Sequence, residues 1–382
     1  VLTSSALTAQ SSNFGGSIRG YQFFSLEEPL FTDRRDSEIW LLRLTDETSF
    51  GKYVSLEVHS LLNLASPPAT QSSMIAYSGA PKFFPLQWDL VDCENLHAGF
   101  GLDRLNLQFD LNKVRITVGR QAVTWGVSYF WPALDLFGPF APQQIDREYK
   151  SGVDIVRVVV ALGPFSELEL IGGVLGPSTK KDGSGGALLR WNLGSADLGF
   201  MGGRFHRDTV LGTFITANVR GTGLRGELSW TDSGDPLDTL RHREQFWRGS
   251  VGLDRQVSPS LTLNLETAWN GYGTCDPSEY IALIQADRYA RGEVSGLGKL
   301  YTGGGLTWMA QPLVTVVNSV LVNLSDGSAL WIPTLQWSAG DNLDVVGGGQ
   351  VGLGPELSTE GEIESEYGLV PVSVFGAIRL YF

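Results

Sequence analysis

The stretch "RLNLQFDLNKVRITVGR" (Arg104–Arg120) constrains the fold more than any other part of the sequence. Leu105, Leu107, Phe109 and Leu111 fall on one side of an extended chain, and Arg104, Asn106, Gln108 and Asp110 fall on the other. After a break at Asn112-Lys113, Val114, Ile116 and Val118 resume the apolar side opposite Arg115, Thr117 and Gly119. Strict alternation around a tight turn reads as a β-hairpin with one apolar and one polar face. The same pattern runs through "KYVSLEVHS", "GLRGELSW" and "SLTLNLETAWN". Counted end to end, such segments number about 18, with a range of about 16–18.

Every apolar face must be covered by something. No run of roughly 18 or more apolar residues is present, so no helix is available to cross a membrane. A closed barrel crosses instead with short alternating strands, lipid covering the apolar faces. Connection lengths fit this. Asp46–Thr48, Asn112-Lys113, Gly163–Ser166, Ser195-Ala196, Gly221-Thr222, Arg255–Pro259, Ala310-Gln311 and Ala339–Asn342 are short, one at every second connection. Leu26–Ser37, Ser66–Leu96, Gly126–Ser151, Pro177–Gly185, Asp232–Glu244, Gly273–Ser295 and Pro355–Tyr367 are long and fall between them, with short exceptions at His206–Asp208 and Ser325–Ser328. A water-soluble sandwich has no reason to sort its loops this way. Tryptophans add a third line: Trp40, Trp230, Trp247, Trp269 and Trp331 belong to one end of the strands, and Trp191, Trp308 and Trp337 to the other. Two indole belts suit two membrane interfaces.

The fold class expected is therefore all-β: a transmembrane antiparallel up-and-down β-barrel with short periplasmic turns and long extracellular loops. Residues 14–382 form the single barrel, 1–13 a periplasmic N-terminal segment, and 126–151 an inward-folding loop. The 47 glycines and 11 tryptophans suit short strands and tight turns, and the net charge of -13 argues against a nucleic-acid partner. Two cysteines, Cys93 and Cys275, both fall in outer loops. A disulfide fits an oxidising compartment, two free thiols fit equally, and spacing does not choose.

With the apolar faces turned outward, the interior receives Arg43, Glu57, Arg104, Arg115, Arg157, Arg190, Arg225, Arg248 and Arg379, with Arg120 close by. Asp110, Glu167, Glu169, Glu227, Asp254 and Glu266 share that wall. Charges on a pore wall select ions by sign, and arginine holds anionic oxygens well; the plain alternative is that each arginine braces the wall against a neighbouring acid. The connection between Trp125 and Ser151 is too apolar to lie in water. Folded inward, it narrows the lumen, with Trp125, Asp135, Asp146, Arg147 and Glu148 at the constriction. The alternative is an aromatic loop packed on the rim.

"GRQAVTWG", "PALDLFGPFAP" and "IDREYKSGVDIVR" resemble outer-membrane barrels related to the alginate-export family. Gly119, Arg120, Gln121, Trp125, Gly126 and the loop that follows carry the match, about a tenth of the chain. The resemblance implies an 18-stranded barrel with an arginine-lined lumen, an inward-folding loop, and export of a polyanionic sugar. The terminal Phe382 is similar to the C-terminal aromatic that barrel-assembly machinery reads.

Other motifs carry less. "GTGLRG" and "GGGQVGLG" contain a dinucleotide-like glycine spacing but precede no helix. No nucleophile elbow accompanies the four histidines, and the chain is read as a non-enzyme without a cofactor. The acidic run "PELSTEGEIESEYG" reads as a solvated outer loop or a divalent-cation contact near lipopolysaccharide. The function expected is a porin-like channel in the outer membrane of a Gram-negative bacterium, passing small or anionic solutes. Its partners are the lipid bilayer, lipopolysaccharide and the assembly machinery. The rival reading is a sheath housing a periplasmic or lumenal protein such as a multihaem cytochrome, whose haem the partner must bring because the chain has no CxxCH.

Overall fold

The computed structural model of the chain describes residues 11–27, 35–66, 82–175, 182–234 and 244–382. Within these, nineteen strands form one antiparallel sheet. They are β1 (Ser11–Ser25), β2 (Asp36–Phe50), β3 (Val54–Ser66), β4 (Gln87–Cys93), β5 (Leu96–Leu111), β6 (Val114–Gln121), β7 (Val153–Ala161), β8 (Glu167–Leu175), β9 (Asp182–Asn192), β10 (Ala196–Phe205), β11 (Asp208–Val219), β12 (Thr222–Asp232), β13 (Gln245–Ser258), β14 (Leu261–Asn270), β15 (Leu300–Gln311), β16 (Val314–Asn323), β17 (Ala329–Gly340), β18 (Leu343–Leu353) and β19 (Ser373–Tyr381).

Each strand pairs with the next, except that β3 pairs directly with β5. β19 returns to β1, with Ser17 opposite Tyr381 and Ser25 opposite Ser373. The ring is thus a closed 18-strand antiparallel barrel, with β4 an extra strand laid on the edge of β5. Among the described residues every strand of the ring has a partner on both sides, as a sheet surrounded by hydrocarbon requires. Phe382 completes the seam by exchanging backbone hydrogen bonds with Gly16 at 2.8 and 3.0 Å.

The alternation read from the sequence survives as a row of exposed apolar side chains. Leu105, Val118, Val156, Leu170, Phe200, Leu228, Leu265, Leu335 and Ile378 all point out of the barrel with more than a third of their surface free. The two tryptophan rows are also present. Trp230 stands opposite Trp247 on adjacent strands at the long-loop end, while Trp308 pairs with Leu261 and Trp337 with Val314 at the other end.

Some boundaries differ from expectation. Asp46–Thr48 are not a turn: β2 continues to Phe50 and the chain reverses at Gly51–Tyr53, where Gly51 has φ 73°. Asp46 accepts hydrogen bonds from Ser12 and Thr48 there, which keeps the polar stretch in the sheet. β1 begins at Ser11 and not at Phe14, because Ser11–Asn13 pair with Glu47–Ser49. Of the N-terminal segment, residues 1–10 lie outside the described residues, as do parts of four long loops: 28–34, 67–81, 176–181 and 235–243.

Candidate functional site

The chain leaves the wall after Gln121 and rejoins it at Val153. Gly119 prepares the departure. Its φ of +119° suits glycine, and a Cβ there would stand 2.2 Å from the Leu105 carbonyl. Between the two strands, residues 122–152 touch three sectors of the inner wall. Val123, Trp125, Leu134, Leu136 and Phe137 pack on Ile155, Ile171, Leu188, Met201, Phe205 and Phe214 of β7–β11. Phe130 and Trp131 pack on Ala268, Tyr301, Leu321, Leu330 and Ile332 of β14–β17. Ile145 packs among Tyr21, Phe23, Leu41, Val346 and Phe375 of β1, β2, β18 and β19. A segment that meets side chains from all these strands crosses the space they enclose.

Backbone amides of this crossing segment find partners on wall carboxylates. Glu227 on β12 accepts from the N–H groups of Val127, Ser128 and Leu134, the last at 2.9 Å. Glu266 on β14 accepts from Tyr129 at 2.6 Å, Phe130 at 3.1 Å and Trp131 at 2.8 Å. Both carboxylates are buried, at 5% and 2% exposure. Irregular backbone inside a barrel has no sheet to satisfy it, so each acid supplies what a strand would. Hydrogen bonds to a charged acceptor are worth roughly 1.5–3 kcal/mol each, so the six together outweigh any single apolar contact of the segment. Trp125 joins in, donating its indole N–H to Glu169 on β8 at 2.9 Å.

The returning arm is fixed by charge. Asp146 accepts from Arg19 at 2.8 Å and from the Tyr21 hydroxyl at 2.7 Å. Glu148 lies 2.7 Å from Arg19 and accepts from Tyr381. Lys150 pairs with Asp135 inside the segment. Tyr149 lies under the guanidinium of Arg43, 4.1 Å from its ring centre.

These contacts revise the roles expected from sequence. Asp135 and Asp146, expected at the constriction, belong to the crossing segment, where they are 3% and 7% exposed and serve as internal anchors. Most wall arginines have a carboxylate partner: Arg43 and Arg104 share Asp103, Arg115 has Asp110, Arg157 has Glu169, Arg190 has Glu167, Arg225 has Asp254 and Arg248 has Glu293. Glu57 accepts from Asn106 at 2.7 Å and stands beside His59.

Arg120 is a correction of facing. It pairs with Leu105 and Asp154, which places it on the outward row with Val118 and Val156. It is 1% exposed because it chelates Asp154 and donates to the carbonyls of Leu102 and Phe84. The amides of Phe83 and Phe84 return to Asp154. Where β6 departs inward, the upper edge of β5 is bare, and Lys82–Cys93 with β4 covers it. Arg120 and Asp154 fasten that patch. Of the two alternatives the spacing leaves open for the cysteines, the structure has the free thiols, both exposed. Cys93 sits in the β4–β5 hairpin and Cys275 follows β14, on the opposite side of the ring, so no disulfide joins them.

Three cavities border the aromatic run Tyr129–Trp131. One of about 210 Å³ is lined by Tyr129, Arg225, Asp254, Thr262, Asn264 and Thr307. A second of about 160 Å³ is lined by Tyr129, Gln144, Arg147, Ser319, Thr334, Gln336 and Arg379. A third of about 40 Å³ lies against Trp131, Pro139, Arg248 and Glu293. The second differs in charge. Arg147 donates only to the carbonyls of Tyr129, Ala141, Pro142 and Gln144. Among the described residues, neither Arg147 nor Arg379 has a carboxylate within ion-pair distance, and no acid lines this cavity.

Two further segments cover the long-loop end. Residues 271–299 carry two short helices, α1 (Tyr280–Ile284) and α2 (Asp287–Ala290). Their apolar side packs with Phe246 and with Ile363 of the 354–372 segment. Arg288 binds Asp208 and Glu293, while Glu293 also meets Arg248 and Arg291. Those guanidiniums hold the Glu293 carboxyl well below its usual range despite burial. Glu366 is the converse: burial raises its pKa to about 7, although Tyr301 and Asn323 donate to it.

No family profile matches the chain, and no curated protein matches it. Solved structures do. OccAB4 of Acinetobacter baumannii aligns with a TM-score of 0.56 at 9% identity, over 99% of each chain. A structure described as "Asymmetric conductivity of engineered proteins" aligns at 0.51 and 13% identity, over 97% of this chain and 100% of that one. A multiply substituted Rh. blastica porin aligns at 0.50 and 13% identity, with the same coverage. At such identities these likenesses establish a porin-type barrel and nothing about cargo.

Proposed function

We propose that the protein is an outer-membrane channel of the porin type that passes small solutes and favours anionic ones. The observation that carries this reading is a closed barrel with an apolar exterior, crossed by its own 122–152 segment yet retaining cavities of about 210 and 160 Å³ beside it. A crossing segment that leaves polar space narrows a path without abolishing it. The porin folds of the neighbours support the membrane placement and the channel class.

Anion preference rests on Arg147 and Arg379. Most of the other wall arginines are neutralised by an acid, and charge pairs contribute little net field to a passing ion. These two border one cavity without such a partner. The small cavities favour compact solutes over the polyanionic sugar implied by the alginate-export resemblance. The sheath reading gains no support, because the crossing segment takes the space a lumenal partner would need. Ion currents across planar bilayers containing the purified barrel test the proposal. A reversal potential shifted toward the anion side in a salt gradient supports it, and a folded barrel that never conducts refutes it.

A further inference from the structure

Glu47, Glu57 and His59 stand apart from the crossing segment's anchors. Glu47 on β2 is directly opposite Glu57 on β3, and His59 follows on the same face opposite Thr45. Like charges facing one another across a strand pair destabilise it unless a cation lies between them. Among the described residues, the only cation at ion-pair distance is the imidazole itself, with His59 Nε2 3.4 Å from Glu57 Oε1. His59 is 9% exposed, and its Nδ1 is buried with no hydrogen-bond partner. Ligand atoms from all three residues lie within 4.8 Å of one another.

We infer that this cluster is a binding site for a borderline divalent transition ion, of which Zn²⁺ is the representative. A tetrahedral ion bound at roughly 2.0–2.2 Å holds neighbouring donors about 3.3 Å apart, close to the observed Nε2–Oε1 separation. Glu47 is exposed and free to swing in, and water completes the shell. Asn106 holds the other oxygen of Glu57 at 2.7 Å, which turns Oε1 toward the imidazole. Orientation of a ligand by such an outer partner is a regular feature of metal sites. One imidazole with two carboxylates suits Zn²⁺ or its first-row neighbours, whereas Mg²⁺ prefers an all-oxygen shell. The competing guanidiniums of Arg43 and Arg104 are held by Asp103. An ion here ties β2 to β3 beside Tyr149, whose ring meets His59 edge-on at 6.2 Å.

The test is isothermal titration of ZnCl₂ into the folded, tag-free barrel in Mg²⁺ buffer, with Co²⁺ absorption as a second readout. A single saturable site should appear, weakened at least tenfold by His59→Ala and by Glu57→Gln, with the Co²⁺ ligand-field band lost in His59→Ala. Should His59→Ala fail to fold, the exposed Glu47→Gln carries the comparison and should weaken binding as well. Absence of a saturable site, or unchanged affinity and spectrum in the variants that fold, overturns the inference. Neither outcome depends on whether the barrel conducts.

Discussion

Glu266→Gln isolates the force that holds the crossing segment in place. The glutamate takes two amides, Phe130 and Trp131, on Oε1 and one, Tyr129, on Oε2. Glutamine keeps an acceptor for the first two but presents its NH₂ to the Tyr129 N–H, a donor facing a donor. Two bonds then fall from the charged class, roughly 1.5–3 kcal/mol, to the neutral class, roughly 0.5–1.5, and the third is lost. Allowing for relaxation, the docked tip loses about 3 kcal/mol, which is about a hundredfold in the ratio of released to docked segment at 1.4 kcal/mol per decade. The wall is untouched, since backbone pairing of β14 does not involve this side chain. Single-channel recording should therefore show a larger conductance substate whose occupancy rises by about two decades. Asp110→Asn, altering a wall acid that binds Arg115 and Gln108 and not the segment, is the control and should leave that occupancy alone. A folded Glu266→Gln barrel with wild-type step size and dwell times would refute the idea that this carboxylate holds the constriction.

Arg147→Ala should move the reversal potential toward neutral selectivity while the barrel wall still assembles, because the guanidinium bonds carbonyls of the crossing segment and faces the Tyr129 ring, not the strands. Gly119→Ala should cost about 1–3 kcal/mol or more, since it needs a positive φ with its methyl 2.2 Å from the Leu105 carbonyl; heat-modifiable migration on gels reads the loss. Glu366 has a folded pKa of about 7, above its unfolded value, so the folded outer cap binds the extra proton. Its stability is greatest below the usual carboxylate range and falls as pH rises through about 7. Amide protection factors in 354–372, taken relative to the base-catalysed intrinsic rate at each pH, should be larger at pH 5 than at pH 8, and Glu366→Gln should flatten that difference. Deleting Phe382 removes the Gly16 seam bonds and should lower insertion yield, whereas Arg379→Ala should keep yield and change conductance. Equal effects would contradict the outward placement of Phe382 and the inward placement of Arg379.

Alternation makes the barrel legible in the sequence, because lipid outside and water inside impose a two-residue period on nearly every strand. It was weakest where the crossing segment docks. Ile171, Leu188, Met201 and Phe214 point inward against Trp125 and its neighbours, so part of the inner face of β8–β11 is apolar and the pattern weakens there, while Glu167, Arg190 and Asp197 keep it nearer the short turns. That loss was itself a signal of a covered inner wall. Arg120 was misplaced for a related reason. Its polar character suggested the lumen, whereas the register sets it outward under Phe83–Phe84. No local pattern reveals that a strand's upper half is replaced by a distant hairpin. The acids Glu227 and Glu266 read as wall charges, since a carboxylate that serves three backbone amides has the same sequence signature as one that faces water.

The proposed channel is a narrow, anion-favouring path beside the barrel's own crossing segment. Reversal potential of the purified barrel in a planar bilayer under a tenfold KCl gradient measures it most directly. Such a path gives small, discrete current steps with a potential displaced toward the chloride equilibrium, and a smaller displacement in Arg147→Ala. Cation selectivity, or a displacement unchanged in Arg147→Ala, would contradict it.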